Sequence, residues 1–444
     1  MVKLNYYKGL LISDTYAPEM KVDQKTDKYI TMAYKYREIL SYFKESGISV
    51  KDYVLQPLPF PIVKDKVKLR DYQEKALKSW LISKRGIIVM PTGAGKTVIG
   101  LKAIYNLKVS TLIIVPTIDL LDQWYKSLIK GLNVNPGRLG GGYEDIQGIT
   151  VSTYDSAYSK IELIGNKFLF LIFDEVHHLP SEGYMEIAQL SASPYRLGLT
   201  ATPEREDRRD KLLIDLVGPI VYTISSSDLS GKYLAEYEIE RIYVNLKEDE
   251  EKKYKEFRRL LKENLGKLGL ELKSLNDFKQ LIYHAGKSPL AKEALHAWFE
   301  SNKIAINSEA KIDKLKLLLE DLKGEKIIIF TRDTNMAYKL SKIFLVPAVT
   351  YKTPKDERRE IIENFRENKY KIIIASNVFD EGVDIPDASI AIIVGGYGTK
   401  RQFIQRLGRV LRMKNGKKAK LIELVTKSTS DYNLSLRRRK NVEL

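Results

Sequence analysis

Short apolar stretches recur along the chain, and each is followed by a turn and a helical stretch. Those of the first half are Gly86–Met90, Thr111–Val115, Phe168–Phe173 and Arg196–Leu199. Those of the second half are Lys326–Phe330, Lys371–Ala375, Ser389–Val394 and Lys420–Val425. Continuous apolar strands that alternate with helices indicate parallel sheets covered on both faces. The two series therefore predict two α/β domains, at 65–225 and 226–444.

The pattern changes before the first series and between the two series. Residues 1–64 belong to neither series and predict a small N-terminal α+β unit, with a helix at Lys28–Glu45 and an extended, proline-rich linker at Gln56–Pro61. Residues 247–307 predict a helical insertion within the second α/β domain. The insertion contains a charge-dense stretch, Lys247–Lys267, and a second helical stretch, Ser288–Asn302.

The amino-acid composition limits the classes of protein to which the chain can belong. Lys and Arg number 74 against 57 Asp and Glu, a formal charge of +17 that favours a polyanionic partner because neutralised phosphates release counterions. A basic protein without a nucleic-acid role remains the alternative at this point. The absence of cysteine excludes disulfides and thiolate sites, and no apolar run approaches the roughly 18 residues of a membrane span. We expect a soluble, cytoplasmic protein that makes no use of a membrane.

Met90–Thr97 reads MPTGAGKT and stands between a predicted strand and a predicted helix, where a phosphate-binding loop is found. Glycines let the backbone curl so that successive N–H groups point at phosphate oxygens. Lys96 is expected to reach the β and γ phosphates and Thr97 to bind Mg²⁺. Met90 departs from the strict pattern, which has glycine at the first position. The residues predicted to bind ATP here are Pro91, Thr92, Gly93, Ala94, Gly95, Lys96 and Thr97.

A pair of acidic residues, Asp174 and Glu175, follows the apolar stretch Phe168–Phe173. Ligands of open α/β sheets bind at the carboxyl ends of strands. Asp174 is predicted to hold Mg²⁺ and Glu175 to polarise the attacking water. Two solvated carboxylates at a strand end are the alternative, and the upstream phosphate-binding loop favours an NTPase instead.

Two further motifs distinguish among NTPases. Thr200-Ala201-Thr202 follows a predicted strand, and its hydroxyls could connect the γ-phosphate site with the domain interface. In isolation this tripeptide is common and uninformative. In the second domain, Gln405, Arg409 and Arg412 lie on nearly one helical face. Two guanidinium groups at this spacing can reach one point, as arginine fingers do in phosphoryl transfer. A basic amphipathic helix is the alternative for this last motif.

The ordered set of motifs resembles a superfamily 2 helicase, whose two motor domains are RecA-like. The set consists of MPTGAGKT, DEVH, TAT, SNVFDEGVDIP (Ser376–Pro386) and QRLGRVLR. The resemblance implies that Arg70 and Gln73 contribute to the ATP site, with Gln73 recognising adenine, and that Asp384 and Gln405 belong to the nucleotide face of the second domain. The resemblance also implies loops that follow one strand of the bound nucleic acid. The residues expected to contact nucleic acid are Pro116, Thr117, Thr153 and Thr202.

A finer resemblance points to the XPB family. Arg205-Glu206-Asp207 follows the TAT motif, and the sixth motif has the RLGRVLR form. The resemblance implies that this RED tripeptide parts the strands, that the helical insertion is the family's thumb-like domain, and that residues 1–64 correspond to its damage-recognition domain. The chain resembles the compact archaeal members of the family. A charged loop is the alternative reading of the RED tripeptide.

The sequence thus predicts an ATP-dependent DNA helicase or translocase that uses ATP and Mg²⁺, acts on duplex or forked DNA and serves nucleotide-excision repair. The resemblance implies 3'-5' polarity, a nucleoid association in an archaeon, and a companion endonuclease or a repair or transcription protein as partner. Two alternatives stay open: an RNA helicase, or an ATP-gated DNA-binding scaffold that recruits a partner nuclease.

Overall fold

The chain divides into two compact units, the first of which ends at Leu229. The predicted domain boundary at 225/226 falls just before a short helix, Ser226–Leu229, that groups with the first unit. Within the described ranges, no helix is both long and apolar enough to cross a lipid bilayer. The computed structural model describes residues 1–203, 207–229, 237–376, 388–395 and 419–439.

The first unit opens with a five-stranded sheet in the order β3-β4-β2-β1-β5. A 3-10 turn, Ala33–Lys35, leads into the helix α1 (Tyr36–Glu45), which packs on one face of the sheet through an apolar core. The strands are β1 (Val2–Tyr7), β2 (Leu10–Ser13), β3 (Lys21–Asp23), β4 (Lys28–Met32) and β5 (Val50–Tyr53). This is the α+β unit that the sequence predicts.

The helix predicted at Lys28–Glu45 is wrong in its first third, because Lys28–Met32 forms the strand β4. This strand pairs with β2 in an antiparallel ladder, in which Ile30 faces Ile12. Aromatic and β-branched side chains favour a pleated surface with cross-strand neighbours. Those tertiary partners overrode the helical spacing of the apolar residues.

The N-terminal sheet is fixed to the first motor sheet by hydrogen bonds and a shared core. The Tyr6 hydroxyl donates to the Leu190 carbonyl at 3.0 Å, and the Asn166 amide donates to the Val54 carbonyl at 3.0 Å. Ala192 is buried within the core of the N-terminal sheet. Residues 55–70, which contain the predicted linker, have no helix or strand.

The motor sheet of the first unit has eight strands in the order β13-β6-β12-β11-β7-β10-β8-β9. Its strands are β6 (Arg85–Val89), β7 (Thr111–Val115), β8 (Gly137–Gly140), β9 (Tyr143–Glu144), β10 (Ile149–Thr153), β11 (Phe170–Asp174), β12 (Tyr195–Thr200) and β13 (Ile220–Thr223). All pairs are parallel except β8 with β9. The associated helices are α2 (Asp71–Ser83), α3 (Lys96–Leu107), α4 (Ile118–Leu132), α5 (Tyr154–Ile164), α6 (Met185–Gln189), α7 (Leu212–Leu216) and α8 (Ser226–Leu229), with 3-10 turns at Val176–His178 and Arg209–Lys211.

The second unit contains a six-stranded parallel sheet in the order β14-β19-β18-β15-β17-β16. Its described strands are β14 (Tyr237–Val244), β15 (Ile327–Thr331), β16 (Ala348–Val349), β17 (Ile372–Ser376), β18 (Ile390–Ile393) and β19 (Ala419–Thr426). The helices α12 (Glu309–Asp321), α13 (Thr334–Phe344), α14 (Lys355–Arg366) and α15 (Ser430–Arg439) accompany this sheet.

Three helices form the predicted insertion, which enters the chain between β14 and α12. Their small core is built around Leu261, Leu281 and Ala294. The first of these helices, Glu248–Lys267, exposes most of its polar side chains, as its composition predicts. The helices are α9 (Glu248–Lys267), α10 (Leu275–Ala285) and α11 (Pro289–Ile306).

Candidate nucleotide-binding site

The loop between β6 and α3 has the backbone of a phosphate cradle. Gly93 and Gly95 have φ angles of 84° and 81°, in the left-handed region that glycine adopts without strain. A Cβ atom on Gly95 would lie 2.4 Å from the Gln73 amide nitrogen, so a side chain there would displace Gln73 from its hydrogen bond to the loop. Gly95 caps α3, whose first residue is Lys96, so the positive end of the helix dipole faces the loop.

Lys96 lies buried beside the loop, between a backbone oxygen and a carboxylate. Its Nζ donates to the Met90 carbonyl at 3.3 Å and lies 3.7 Å from Glu175 Oε1. The Thr92 hydroxyl oxygen is buried and makes no hydrogen bond within the described part of the chain. A phosphate group would satisfy this hydroxyl and the ammonium of Lys96, which supports the assignment of the loop to nucleotide binding.

Asp174 ends β11 at the same sheet edge, and two N–H groups hold its carboxylate. The Trp124 indole Nε1 donates to Oδ2 at 2.7 Å, and the Glu175 backbone N–H donates to Oδ1 at 3.0 Å. The Tyr154 hydroxyl donates to the Asp174 carbonyl at 3.2 Å. The sequence predicts the carboxylate but not its partners, since Trp124 lies 50 positions upstream and reads as core packing.

The electrostatics of the site favour a cation. Burial, and then the neighbouring charge of Glu175, raise the pKa of Asp174 to about 6, although Lys96 and the Trp124 indole act in the opposite direction. A buried carboxylate with a raised pKa gains most from a bound cation. With the Thr97 hydroxyl on the first turn of α3, the residues present fit a divalent ion held by oxygen ligands.

Glu175 has a φ of 48°, which is uncommon for a residue with a side chain and marks local strain at the site. Its carboxylate is 3.5 Å from His177 Nδ1, and the same nitrogen is 3.1 Å from the Thr200 hydroxyl. That hydroxyl also donates to the Thr202 carbonyl at 3.0 Å. The DEVH and TAT segments are thus joined through His177, whose role the motif spacing does not reveal.

Gln73 bridges the start of α2 and the phosphate-binding loop. Its Oε1 accepts from the Arg70 backbone N–H at 2.9 Å, and its Nε2 donates to the Ala94 carbonyl at 2.9 Å. The Tyr72 hydroxyl donates to the same carbonyl at 2.9 Å, a contact that the sequence did not predict. Gln73 and Tyr72 therefore hold the loop in shape, and recognition of adenine by Gln73 stays a prediction.

The residues predicted to contact nucleic acid lie at the carboxyl edge of the sheet. Thr117 and Thr153 are the N-caps of α4 and α5, where each hydroxyl accepts from a backbone N–H of the first turn. Pro116 is half-buried beside Thr117, and Thr202 is 6% exposed. The remaining N–H groups of the two helix starts suit phosphate contacts.

Several predicted site residues lie outside the described ranges. Asp207, the last residue of the RED tripeptide, is exposed and accepts from the Arg209 backbone N–H at 3.2 Å. The roles assigned from sequence to the others stay predictions. The residues outside the described ranges are Arg205, Glu206, Asp384, Gln405, Arg409 and Arg412.

Three known families match parts of the chain. Residues 4–54 match the xeroderma pigmentosum group B helicase damage recognition domain. Residues 66–205 match the type III restriction enzyme res subunit family, and residues 310–414 match the helicase conserved C-terminal domain. A phosphate-binding loop and the Asp174–Glu175 pair at one sheet edge, followed by a helicase C-terminal domain, define a superfamily 2 helicase.

The relatives identify the family within that class. The chain is 58% identical over 439 residues to the DNA 3'-5' translocase XPB2 of Sulfurisphaera tokodaii, covering 99% of this chain and 100% of the relative. The TFIIH helicase/translocase subunit XPB of Schizosaccharomyces pombe is 29% identical, and there this chain spans 47% of the relative's length and 87% of its own. The chain belongs to the XPB family of superfamily 2 helicases.

A solved structure agrees with the fold. The helicase domain of Hef from Pyrococcus furiosus has a TM-score of 0.57 and 21% identity, covering 84% of this chain and 98% of that one. The predicted fold class, two RecA-like parallel-sheet domains with an N-terminal α+β unit, is confirmed.

Proposed function

We propose that the protein is an ATP-dependent DNA translocase or helicase of the XPB type, which moves on or opens duplex DNA. The observation that carries this proposal is the convergence of two kinds of segment at one sheet edge. Lys96 and Glu175, 3.7 Å apart, supply the catalytic chemistry. The helices α4 and α5, whose first turns suit contact with a phosphate backbone, carry Trp124 and Tyr154, and both side chains donate hydrogen bonds to Asp174.

The described residues have separate roles in ATP hydrolysis. The loop from Gly93 to Thr97 and the start of α3 bind the phosphates, and Lys96 neutralises charge on the terminal phosphates. Mg²⁺, when bound at Asp174 and Thr97, would supply electrophilic stabilisation of the transferring phosphoryl group. Glu175, whose carboxylate is 3.7 Å from the Lys96 ammonium, would orient and deprotonate the attacking water.

The second domain contributes through Arg409 and Arg412 in this proposal. Two guanidinium groups would stabilise charge on the transferring phosphoryl group, and their arrival and departure would make each domain step depend on hydrolysis. The support for this part is the helical spacing in the sequence together with membership of the family.

The pKa of Asp174 gives a prediction for the metal. We expect the Mg²⁺ concentration needed for half-maximal ATP turnover to rise as the pH falls through about 6, because a proton then competes for the carboxylate. Below that pH the requirement should rise by about tenfold per pH unit, since one proton is displaced. Magnesium titrations of the turnover rate at several pH values measure this. A requirement that does not change as the pH falls through about 6 would contradict proton competition at Asp174.

The proposed substrate is tested by ATP turnover with matched nucleic acids. We expect strong stimulation by duplex or forked DNA and little by RNA of the same sequence, because the contacts are to the backbone of a B-form duplex. Salt should weaken the stimulation, since a chain with a formal charge of +17 binds with counterion release. Stimulation chiefly by RNA would overturn the DNA assignment. No stimulation by any nucleic acid would favour the ATP-gated scaffold.

We infer that a partner protein, a companion endonuclease or a repair or transcription factor, docks on the helical insertion. A cavity of about 660 Å³ opens between α9 and the following loop, with Leu261, Leu265 and Trp298 in its wall. Three basic residues, Arg258, Lys262 and Lys273, line the same cavity with one acidic residue, Glu271, so an apolar segment flanked by acidic residues fits it best.

A further inference from the structure

Trp124 connects the two halves of the nucleotide site. It lies in α4 with no exposed surface, and its indole N–H is 2.7 Å from Asp174 Oδ2. The far edge of its ring lies against α3, where a Cβ atom on Gly100 would be 2.5 Å from Trp124 Cη2. Because Gly100 has no side chain, the Trp124 ring can occupy this space. One side chain touches both the helix of the phosphate-binding loop and the aspartate opposite it.

The helix that carries Trp124 begins at the segment proposed to contact DNA. Thr117 caps α4, a helix of 15 residues, and Trp124 lies about 9 Å along it at a rise of about 1.5 Å per residue. Leu121 and Leu128 on the same helix are fully buried. A packed helix moves as a rigid element, so a shift of its first turn reaches the indole.

The hydrogen bond fixes the carboxylate without blocking it. Oδ1 is held by the Glu175 N–H and Oδ2 by the Trp124 indole, and each carboxylate oxygen has a second lone pair for a cation. Without the indole N–H, rotation of the Asp174 carboxylate is restrained at one oxygen only. Groups that orient metal ligands in this way typically contribute about 10- to 100-fold in metal affinity or activity.

We propose that Trp124 is a positioning residue that couples backbone contact at the start of α4 to the orientation of the Asp174 carboxylate, and thereby couples DNA binding to ATP turnover. The coupling rests on the proposed function, from which the DNA contact at Thr117 is taken. The orientation of Asp174 by the indole does not depend on that contact.

The variant Trp124→Phe tests the orienting role, because phenylalanine keeps a buried aromatic ring on α4 and removes the N–H. We expect the Mg²⁺ concentration for half-maximal turnover to rise by about tenfold and stimulation by duplex DNA to be lost, with the affinity for DNA unchanged. Trp80→Phe is the matched control. Trp80 is also fully buried, and its indole donates to the Arg196 carbonyl at 2.9 Å, away from the site.

The two variants separate an orienting role from a packing role. Both should lower the melting temperature to a similar extent, since each loses one buried hydrogen bond, but only Trp124→Phe should change the Mg²⁺ requirement. Equal requirements in the two variants would overturn the orienting role. If the wild-type protein shows no stimulation by DNA, the proposed function fails. The Mg²⁺ comparison still decides the role of Trp124 in that case.

Fluorescence gives a readout that does not depend on turnover. The chain has three tryptophans, so the double variant Trp80→Phe, Trp298→Phe leaves Trp124 as the sole indole. We expect its emission to change when duplex DNA is added without nucleotide, and to change again when Mg²⁺ and a non-hydrolysable ATP analogue are added. An emission that responds to Mg²⁺ and nucleotide but not to DNA would overturn the coupling.

Discussion

Replacing Glu175 by glutamine is expected to lower ATP turnover by roughly 10²- to 10⁴-fold while ATP still binds. Glutamine keeps the size of the side chain and its contacts near Lys96 and His177, but it cannot accept a proton from water. The rate of phosphate release, measured with saturating DNA and Mg²⁺, reports the loss. DNA binding should persist, because the helix starts proposed to contact DNA are unchanged.

The same substitution has a second consequence for the neighbouring carboxylate. The charge of Glu175 raises the pKa of Asp174, so Glu175→Gln should lower that pKa and allow Mg²⁺ to bind at more acidic pH. Glu182→Gln is the control, because Glu182 is an exposed carboxylate paired with Arg209 at 3.2 Å. Near-wild-type turnover in Glu175→Gln would exclude Glu175 as the catalytic base.

The substitution Lys96→Ala is expected to weaken ATP binding itself, by roughly 10²-fold. It removes an ammonium that makes charge-assisted hydrogen bonds to phosphate, each of which contributes on the order of 1.5 to 3 kcal/mol. It also leaves Asp174 and Glu175 without a nearby buried cation, which raises the pKa of Asp174 further. Binding of a fluorescent ATP analogue measures the loss.

Lys102→Ala is the matched control for Lys96→Ala, because Lys102 lies on the same helix as Lys96 and pairs instead with Asp65.

The variants Glu175→Gln and Lys96→Ala should also differ in how strongly nucleotide protects them against thermal unfolding. At one ATP concentration, Mg²⁺ and ATP should raise the melting temperature of Glu175→Gln much more than that of Lys96→Ala, because the former binds nucleotide more tightly. Equal protection of both variants by ATP would contradict the role assigned to Lys96.

The parts of the site that could be predicted from sequence are those that one short segment specifies. The loop before Lys96 and the pair Asp174–Glu175 each follow an apolar strand directly, so strand, turn and chemistry stand together in the chain. Trp124 and Tyr72 could not be predicted, because each acts on a residue 50 or 22 positions away. Their contacts exist only once the parallel strands have been placed side by side.

In the fold, too, the elements that a short segment specifies could be predicted, and those that depend on distant partners could not. The apolar strands of both motor sheets stand out as continuous runs, whereas β10 (Ile149–Thr153) does not, although all five of its residues are buried. The Thr150 hydroxyl forms two hydrogen bonds with the backbone of Gln147, which offset the cost of burying it. A polar strand inside a sheet can be recognised only when its hydrogen-bond partners are known.

The attachment of Tyr6 to Leu190 has a consequence for any exchange of N-terminal sheets between relatives. A Cβ atom on Gly9 would lie 2.6 Å from the Leu190 side chain, and Ala192 completes the core beneath α1. We therefore expect a substitution on one side of this seam to require a matching substitution on the other. A graft of the N-terminal sheet from a distant relative would need the matching 190–192 segment to come with it.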